Sequence, residues 1–464
     1  QMAMQPQQAQ VQMAQTERVE QQARAQHLNP QQRHASYVEQ LLFQRQRVRQ
    51  ARYQRSQQHL KPEYARKLGE ALLLQVSHAA PDAEDAAARQ DLARRLQALT
   101  EQVAGGAKLR MFGSSVVGLH LKGADLDLTL ETDPAAATPP IELQRKLIKQ
   151  LGDAIAASES MESVSARPNA RVPIVAMSDK ATGLKTDICM CNRLAMLNSR
   201  LLKAYVELDE RVRPLAMAVK YWAKQRHIND PYRGSPSSYA YVLLVINYLQ
   251  TTSPPVLPNL QQLRGGEWAT TDEMSASTPD GRAFDCSFCS DVAGVASAAA
   301  ACGPRNEADV ATLFCGFFHR YVRDFNWNRS VVSVRTGGQL TKQEKRWMTK
   351  EKGFRGDRHL FCIEDPFELT HDLGRVLDKQ TLSELKSEFD RAYDLISREK
   401  SFEEITELWQ AAEPEPTAPS AANATTDATK LPPTNTDTVL SPTEPDASLT
   451  VADASRTAAE ALPI

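Results

Sequence analysis

Only seven cysteines occur in 464 residues, and no stretch approaches the 18 or more consecutive apolar residues of a membrane span. No secretory apolar core follows the amino terminus. A disulfide scaffold and a helical membrane protein are therefore both excluded as readings, and the sparse cysteine points to a reducing, intracellular compartment. Neither charge sign dominates: 55 Lys and Arg stand against 57 Asp and Glu, a net charge of −2. A broad basic surface of the kind that wraps nucleic acid is lacking, so any nucleic-acid binding has to be confined to a local groove.

The two ends lack the composition of a packed core. Residues 1–61 are about one third Gln, with nine basic residues against three acidic ones. Residues 411–464 hold eight Pro and eight acidic residues against two basic ones. Such segments bury too little apolar surface to offset chain entropy, so both read as flexible arms suited to recruiting protein partners. Within the first, residues 38–55 have the pattern of a basic amphipathic helix (Val38, Leu41, Leu42 and Val48 against Arg45, Arg49 and Arg52). An Arg-rich, acid-poor amino terminus is also one mark of an organellar transit peptide. Cytoplasmic and mitochondrial locations both stay open, as does a start upstream of Gln1. About 350 residues remain, enough for two domains with cores of their own.

What those residues do contain is organised around 108–131, KLRMFGSSVVGLHLKGADLDLTLE. An apolar strand runs into Gly113-Ser114, and a second alternating segment carries Asp125-Leu126-Asp127. On a strand, residues i and i+2 share a face, so the two carboxylates project together. They repel each other unless a cation lies between them, and oxygen ligands of this kind suit Mg²⁺ with substrate phosphates. The Gly-Ser turn supplies a hydroxyl and closely spaced backbone N–H groups for those phosphates.

Taken in order, helices are expected over 62–79 and 81–104, with Pro62 and Pro81 near their starts and Gly105-Gly106 ending the second. After a loop at 133–140, residues 141–157 are apolar at helical spacing, and strands follow at 171–177 and 183–190. The second strand places Asp187 between Thr186 and Ile188. A third carboxylate on a strand beside the first is what a two-metal site needs. Asn192 caps a helix over 193–206, and Pro214 opens another over 214–228 with Lys220 and Lys224 one turn apart. Ser235 reads as the N-cap and Pro236 as the first residue of the next helix. Ser238 then lies among its free N–H groups and Tyr239 offers a ring on which a base can stack. Cys286-x₂-Cys289, followed by Cys302 and Cys315, carries a weak zinc signal, since no second close pair accompanies it. Helix returns at 308–325 and a strand at 330–335. An apolar strand at 360–363 then delivers Glu364, Asp365, Glu368 and His371 around Pro366, either as a polar reading loop or as helix-capping acids. Residues 380–410 close the folded part as one or two helices.

FGSS…DLDLTLE, TDICMCNRLAMLNSRLL, KYWAKQRHI, SPSSYAYVLLVINYLQ, PPVLPNLQ, WNRSVVSVRTGGQLTKQEKRW and CIEDPFELTHDLGR occur in this order. Together they resemble the terminal uridylyltransferases, polymerase-β-like RNA nucleotidyltransferases, over about residues 65–405. The resemblance implies an α+β fold. A polymerase-β-like catalytic domain with a mixed sheet (105–192) faces a mostly helical, poly(A) polymerase-like domain (193–410), with the helices of 62–104 packing between the lobes and UTP in the cleft. It also implies that Asp125, Asp127 and Asp187 are catalytic and hold two Mg²⁺ (or Mn²⁺) ions. Gly113, Ser114, Lys220, Lys224 and Ser238 would bind the triphosphate, Asn198 with Ser199 beside it the ribose, and Tyr239 the base. Asp365, Glu368 and His371 fall on the base-reading loop 364–371. The roughly sixty residues between Asp127 and Asp187 leave no room for the large domain that some mitochondrial editing uridylyltransferases insert there. The expected partners are UTP and single-stranded RNA 3′ ends, and no membrane. An ATP-using poly(A) polymerase and an inactive RNA-binding scaffold are the competing readings.

Overall fold

The computed structural model describes residues 60–410, apart from 133–138, 171, 264–274, 278–281, 302–304, 339 and 349–358. The expected helix at 38–55, the acidic tail and Cys302 lie outside the described residues.

Helix α1 (Pro62–Ala79) starts on its proline and buries Leu68, Leu72 and Val76 at helical spacing. Helix α2 (Ala83–Val103) is capped by Asp82, whose side chain accepts from Asp85 N–H, and buries Leu92 and Leu96. The break at Pro81 sends these two helices to different cores. Leu68 and Leu72 join the helical lobe, whereas Leu92 and Leu96 pack under the sheet.

Gly106, in the left-handed region at φ 80°, releases the chain into β1 (Lys108–Met111). A four-residue helix α3 (Ser114–Val117) and strand β2 (Leu126–Glu131) follow. Helix α4 (Ile141–Ala157) matches the expected span. Then come β3 (Met161–Arg167), β4 (Ile174–Asp179) and β5 (Lys185–Met190). The sheet order is β1-β2-β5-β4-β3, with β2 and β5 parallel and the other pairs antiparallel. Leu126, Leu128, Leu130, Ile188 and Met190 meet Ile148, Leu151 and Ile155 of α4 on one face. The carboxylates stand on the other.

The helical lobe begins with α5 (Arg193–Leu208), capped by Asn192, then α6 (Val212–Gln225) and α7 (Ser238–Thr251). Helix α6 starts two residues before Pro214, which sits in its first turn where a missing N–H costs nothing. Ser237, and not Ser235, caps α7 through Ala240 N–H. Ser235 Oγ is instead used by the preceding loop, accepting from Asp230 N–H at 2.7 Å. A short hairpin of β6 (Ser275–Ser277) and β7 (Ala283–Asp285) precedes α8 (Val292–Ala301) and α9 (Val310–His319), and a π turn extends α9 to Asp324. Strands β8 (Ser330–Val332), β9 (Leu340–Thr341) and β10 (Cys362–Ile363) form a second small sheet, and α10 (Lys379–Ser397) and α11 (Phe402–Ile405) complete the lobe. Cys286, Cys289 and Cys315 are buried free thiols in its core, and they form no three-ligand metal group among the described residues.

The contact of α4 with β3 depends on one missing side chain. A Cβ at Gly152 would lie 2.7 Å from Ala166 Cβ. Gly152→Val should lower the midpoint of urea unfolding by the equivalent of about 1–3 kcal/mol, the usual cost of overpacking. An unchanged midpoint would mean that α4 does not rest on β3 there.

Candidate active site

Strand register builds the centre of the site. Asp127 of β2 lies directly opposite Asp187 of β5, with Leu128 opposite Ile188. Both carboxylates therefore share the uncovered face, and Asp125, two residues earlier, joins them. The small side chain of Ala176 faces Asp187 from β4 and leaves that face open.

Three acids at one half-buried place are electrostatically costly. Burial, then the neighbouring Asp125 charge, push Asp127 up to about 7, against the pull of Lys220. Asp187 is likewise pushed up to about 7 by burial and by Asp127 and Asp125, with Arg167 of β3 opposing. Burial raises Asp125 too, countered by Lys185, Lys224 and Arg89. The three are spaced more widely than a single compact cage, since they do not come within 4.8 Å of one another as a group. Mutually repelling oxygens of this kind fit divalent cations, which remove the penalty that the acids impose on one another.

The Gly113 turn lies against them. Gly113 has φ +70°, and a Cβ there would lie 2.5 Å from Asp127 Oδ2. Only glycine lets the turn, with Ser114 just after it, approach the carboxylate so closely. The turn is held from the other lobe: Gly113 N–H donates to Ser199 Oγ at 2.8 Å, while that hydroxyl donates to Ala195 O at 2.8 Å. Ser199 thus braces the turn with a hydroxyl already used in both directions. Its neighbour Asn198 differs, with a buried Oδ1 that has no hydrogen-bond partner.

Lys220 is buried and donates to Leu119 O at 2.6 Å. Burial pulls its ammonium down to about 8, with Asp127 pulling the other way. Lys224, one turn on, is exposed. Ser238 Oγ lies 3.3 Å from Asn229 Nδ2 at the start of α7. Next to it, the Tyr239 hydroxyl donates to Asp365 Oδ2 at 3.3 Å. Asp365 Oδ1 accepts from the N–H groups of Phe367 and Glu368, so this carboxylate shapes the loop and aims the tyrosine. Glu368 lies 3.7 Å from Arg282 and 3.9 Å from His371 Nδ1.

One residue important to this geometry was not foreseen. Arg89 of α2, buried, pairs with Asp85 at 2.6 Å and reaches Ser115 Oγ, Ala124 O and Asp125 O. It ties the turn to the first carboxylate strand. Its sequence signal is an arginine three residues before Leu92, inside the apolar stripe of its own helix. Glu364, also buried, accepts from Ser333, Arg335 and Lys345, and Lys345 donates as well to Leu369 O in the 364–371 loop.

Comparison with known proteins fits this geometry. Residues 68–207 match the family model of the central palm domain of mitochondrial-like poly(A) RNA polymerase, and residues 309–371 match that of the Cid1 family poly A polymerases. Terminal uridylyltransferase cid1 of Schizosaccharomyces pombe is 34% identical over 317 residues, covering 65% of this chain and 72% of the relative. The chain belongs to the terminal uridylyltransferases. Within the same superfamily, human terminal uridylyltransferase 7 is 32% identical over 293 residues, 63% of this chain but 18% of that much longer protein. Poly(A) RNA polymerase cid11 of S. pombe is 30% identical over 331 residues, 71% of this chain and 62% of its own. A solved cytoplasmic RNA terminal U-transferase superposes with a TM-score of 0.63 at 29% identity, covering 75% of this chain and all of that one. Cid1 bound to the UTP analogue UMPNPP superposes at 0.59 with 29% identity, over 71% and 94% of the two chains. This uridylyltransferase therefore has the polymerase-β-like α+β fold expected from its motifs.

The raised acids have a measurable consequence in the metal-free enzyme. A carboxyl whose folded pKa is about 7 stabilises the fold below its unfolded pKa, and that contribution is lost as pH climbs toward 7. Asp187→Asn should therefore raise the Tm of chelator-treated protein at pH 8 by several degrees, at about 2–4 °C per kcal/mol, with little change near pH 4. A lowered Tm at pH 8 would show that Asp187 is not held against its charge. Arg89→Met should cost about 3–5 kcal/mol in denaturant unfolding, because it takes the guanidinium from Asp85, which keeps only weaker contacts with His120 and Gly123, and bares the Ala124 and Asp125 carbonyls. A cost below 1 kcal/mol would contradict the bridging role.

Proposed function

We propose that this chain adds uridylate to RNA 3′ ends. The RNA 3′-hydroxyl attacks the α-phosphorus of UTP in line, a new P–O bond forms, and the bond to the β-phosphate breaks to release pyrophosphate. The observation that carries this reading is the register of Asp127 opposite Asp187, with Asp125 on the same face and the Gly113 turn against Asp127.

Asp125, Asp127 and Asp187 would hold two Mg²⁺ or Mn²⁺ ions, which when bound neutralise charge on the attacking and leaving oxygens. Asp187 receives the proton of the 3′-hydroxyl. The N–H groups and hydroxyl at Gly113-Ser114 cradle the triphosphate, and Lys220 and Lys224 present cations to it. Asn198, through its orphaned Oδ1, accepts from a ribose hydroxyl. The Tyr239 ring stacks on the base, and Asp365 keeps that ring in place. Glu368 then takes the N3–H of uracil, while the bulk of His371 disfavours the larger adenine. RNA held in the cleft mainly through its phosphates binds in a salt-dependent and weakly sequence-specific way. The Gln-rich and acidic arms recruit protein partners.

Extension of a single-stranded RNA by the purified full chain, offered each NTP separately with Mg²⁺ or Mn²⁺, tests the whole reading. UTP should be the preferred donor. Preferential extension with ATP would replace uridylate by adenylate, and no extension with any NTP would leave an RNA-binding scaffold. Asp125→Ala and Asp187→Ala should each reduce transfer by more than about a hundredfold while UTP binding survives. His371→Ala should relax the UTP over ATP preference by about tenfold, the scale of a steric discrimination in a pocket. An unchanged ratio would remove His371 from base choice.

A further inference from the structure

Among the described residues, one group brings three metal-ligating atoms from different side chains within 4.8 Å of one another: His359, Cys362 and Asp372. None of them takes part in the transfer chemistry above. Cys362 and Asp372 are fully buried, and only 11% of the His359 side chain reaches solvent.

Each of the three is held from outside the cluster. Asp372 Oδ1 accepts from Ile363 N–H and Gly374 N–H, both at 2.9 Å. That leaves Oδ2 turned toward His359 Nδ1 at 2.8 Å. The His359 ring lies flat against Trp347, with centroids 4.9 Å apart and planes 6° from parallel. Lys342 Nζ donates to the carbonyls of His359 and Leu360, at 2.7 and 2.9 Å, and also faces the Cys362 thiol. Cys362 is fixed by the pairing of β10 with Val331. Donor atoms oriented by outer contacts of this kind are the usual surroundings of a protein metal site.

We propose that His359, Cys362 and Asp372 form a zinc site distinct from the catalytic carboxylates, with a water molecule as fourth ligand. The donor set selects the ion. A thiolate disfavours Mg²⁺ and Ca²⁺, whereas nitrogen, sulfur and oxygen together suit Zn²⁺. Zinc–ligand bonds of about 2.0–2.3 Å around a tetrahedron place ligand atoms about 3.3–3.8 Å apart. The His359–Asp372 contact has to open by roughly half an ångström, and the thiol to close by no more than about one. On binding, the thiol proton leaves to solvent, and the imidazole proton moves from Nδ1 to Nε2.

Such an ion would join residues 359 and 362 to residue 372, the two flanks of the loop carrying Asp365, Glu368 and His371. It would clamp that loop without touching a substrate. The competing arrangement is a hydrogen-bonded imidazole and carboxylate with a thiol packed beside them.

Cobalt(II), a spectroscopically visible stand-in for zinc, separates the two. Full-length chain is stripped with a chelator, supplied with excess Mg²⁺ to occupy the carboxylates, and titrated with Co²⁺. One equivalent should produce a near-ultraviolet thiolate-to-cobalt charge-transfer band and tetrahedral visible bands, all abolished by added Zn²⁺. Cys362→Ala should lose the thiolate band and bind Zn²⁺ more than about a hundredfold more weakly, beyond the usual cost of an outer-contact change. Cys362→Ser serves the same comparison if the alanine variant does not fold. The absence of a thiolate band in the wild-type chain overturns the proposal. So does a band that survives in the Cys362 variants, or one lost instead in Cys286→Ala or Cys289→Ala. None of these readouts depends on which nucleotide is transferred.

Discussion

The repulsion among Asp125, Asp127 and Asp187 is the constraint to which the rest of the chain answers. Parallel pairing of β2 with β5 forces Asp127 and Asp187 onto neighbouring positions of one face. The opposite face is buried under α2 and α4, so the acids cannot turn away without exposing Leu128 and Ile188. Some positive charge has to offset them, and the fold supplies it from several directions. Arg89 comes from α2, Arg167 from β3, Lys185 from β5, and Lys220 and Lys224 from α6. These cations lessen the penalty without cancelling it, since Asp127 and Asp187 both stay raised. The remaining deficit is what favours binding of divalent ions.

The same constraint explains why the two lobes cannot be separated at the site. Val117, Leu119 and Leu121, which follow the Gly113 turn, belong to the core of the helical lobe, whereas Leu126 and Leu128 belong to the core beneath the sheet. The seam between the cores therefore runs between the turn and the carboxylate strand. Three contacts from the helical lobe cross to the turn: Ser199 to Gly113 N–H, Arg213 to Gly118 O, and Lys220 to Leu119 O. Arg89 crosses from the other side to Ser115 and Asp125. A nucleotide placed between turn and carboxylates would thus be gripped by both cores, and relative movement of the lobes would alter the spacing of its phosphates from the acids.

Much of this was legible because it is local. Pro62 marks the start of α1 and the Asn192 cap that of α5, and an Asp-x-Asp pair on a strand shares a face whatever surrounds it. What was not legible depended on competition or distance. Three serines surround Pro236, and only the loop back to Asp230 decides that Ser235 is used there and that Ser237 caps α7. Strand β3 escaped notice because it is an edge strand, exposed at Glu162 and Ser163, with a register shift between Glu162 and Ser165. The bond from Tyr239 to Asp365 joins residues 126 apart, so no periodicity announces it. Arg89 had a local signal, a charge inside an apolar stripe, whose meaning required knowing that Asp125 lies beneath it.

The loop at 364–371 follows from the same reasoning about buried charge. Glu364 is 1% exposed, and among the described residues Arg335 and Lys345 form ion pairs with it. Those cations come from the segments after β8 and β9, so the small sheet and the loop are locked by one carboxylate. Lys345 then reaches on to Leu369 O, which fixes the far side of the loop. With Asp365 engaged by two backbone N–H groups and by Tyr239, its oxygens are poorly placed to discriminate one base from another. On the proposed reading, discrimination would fall to Glu368 and His371, both largely buried and packed close to each other. A carboxylate alone accepts from the N3–H of uracil and from the exocyclic amine of adenine with similar ease. On that reading the choice between donors would come from space, and the pinning through Glu364 and Asp365 would hold the loop against the extra width that a purine requires.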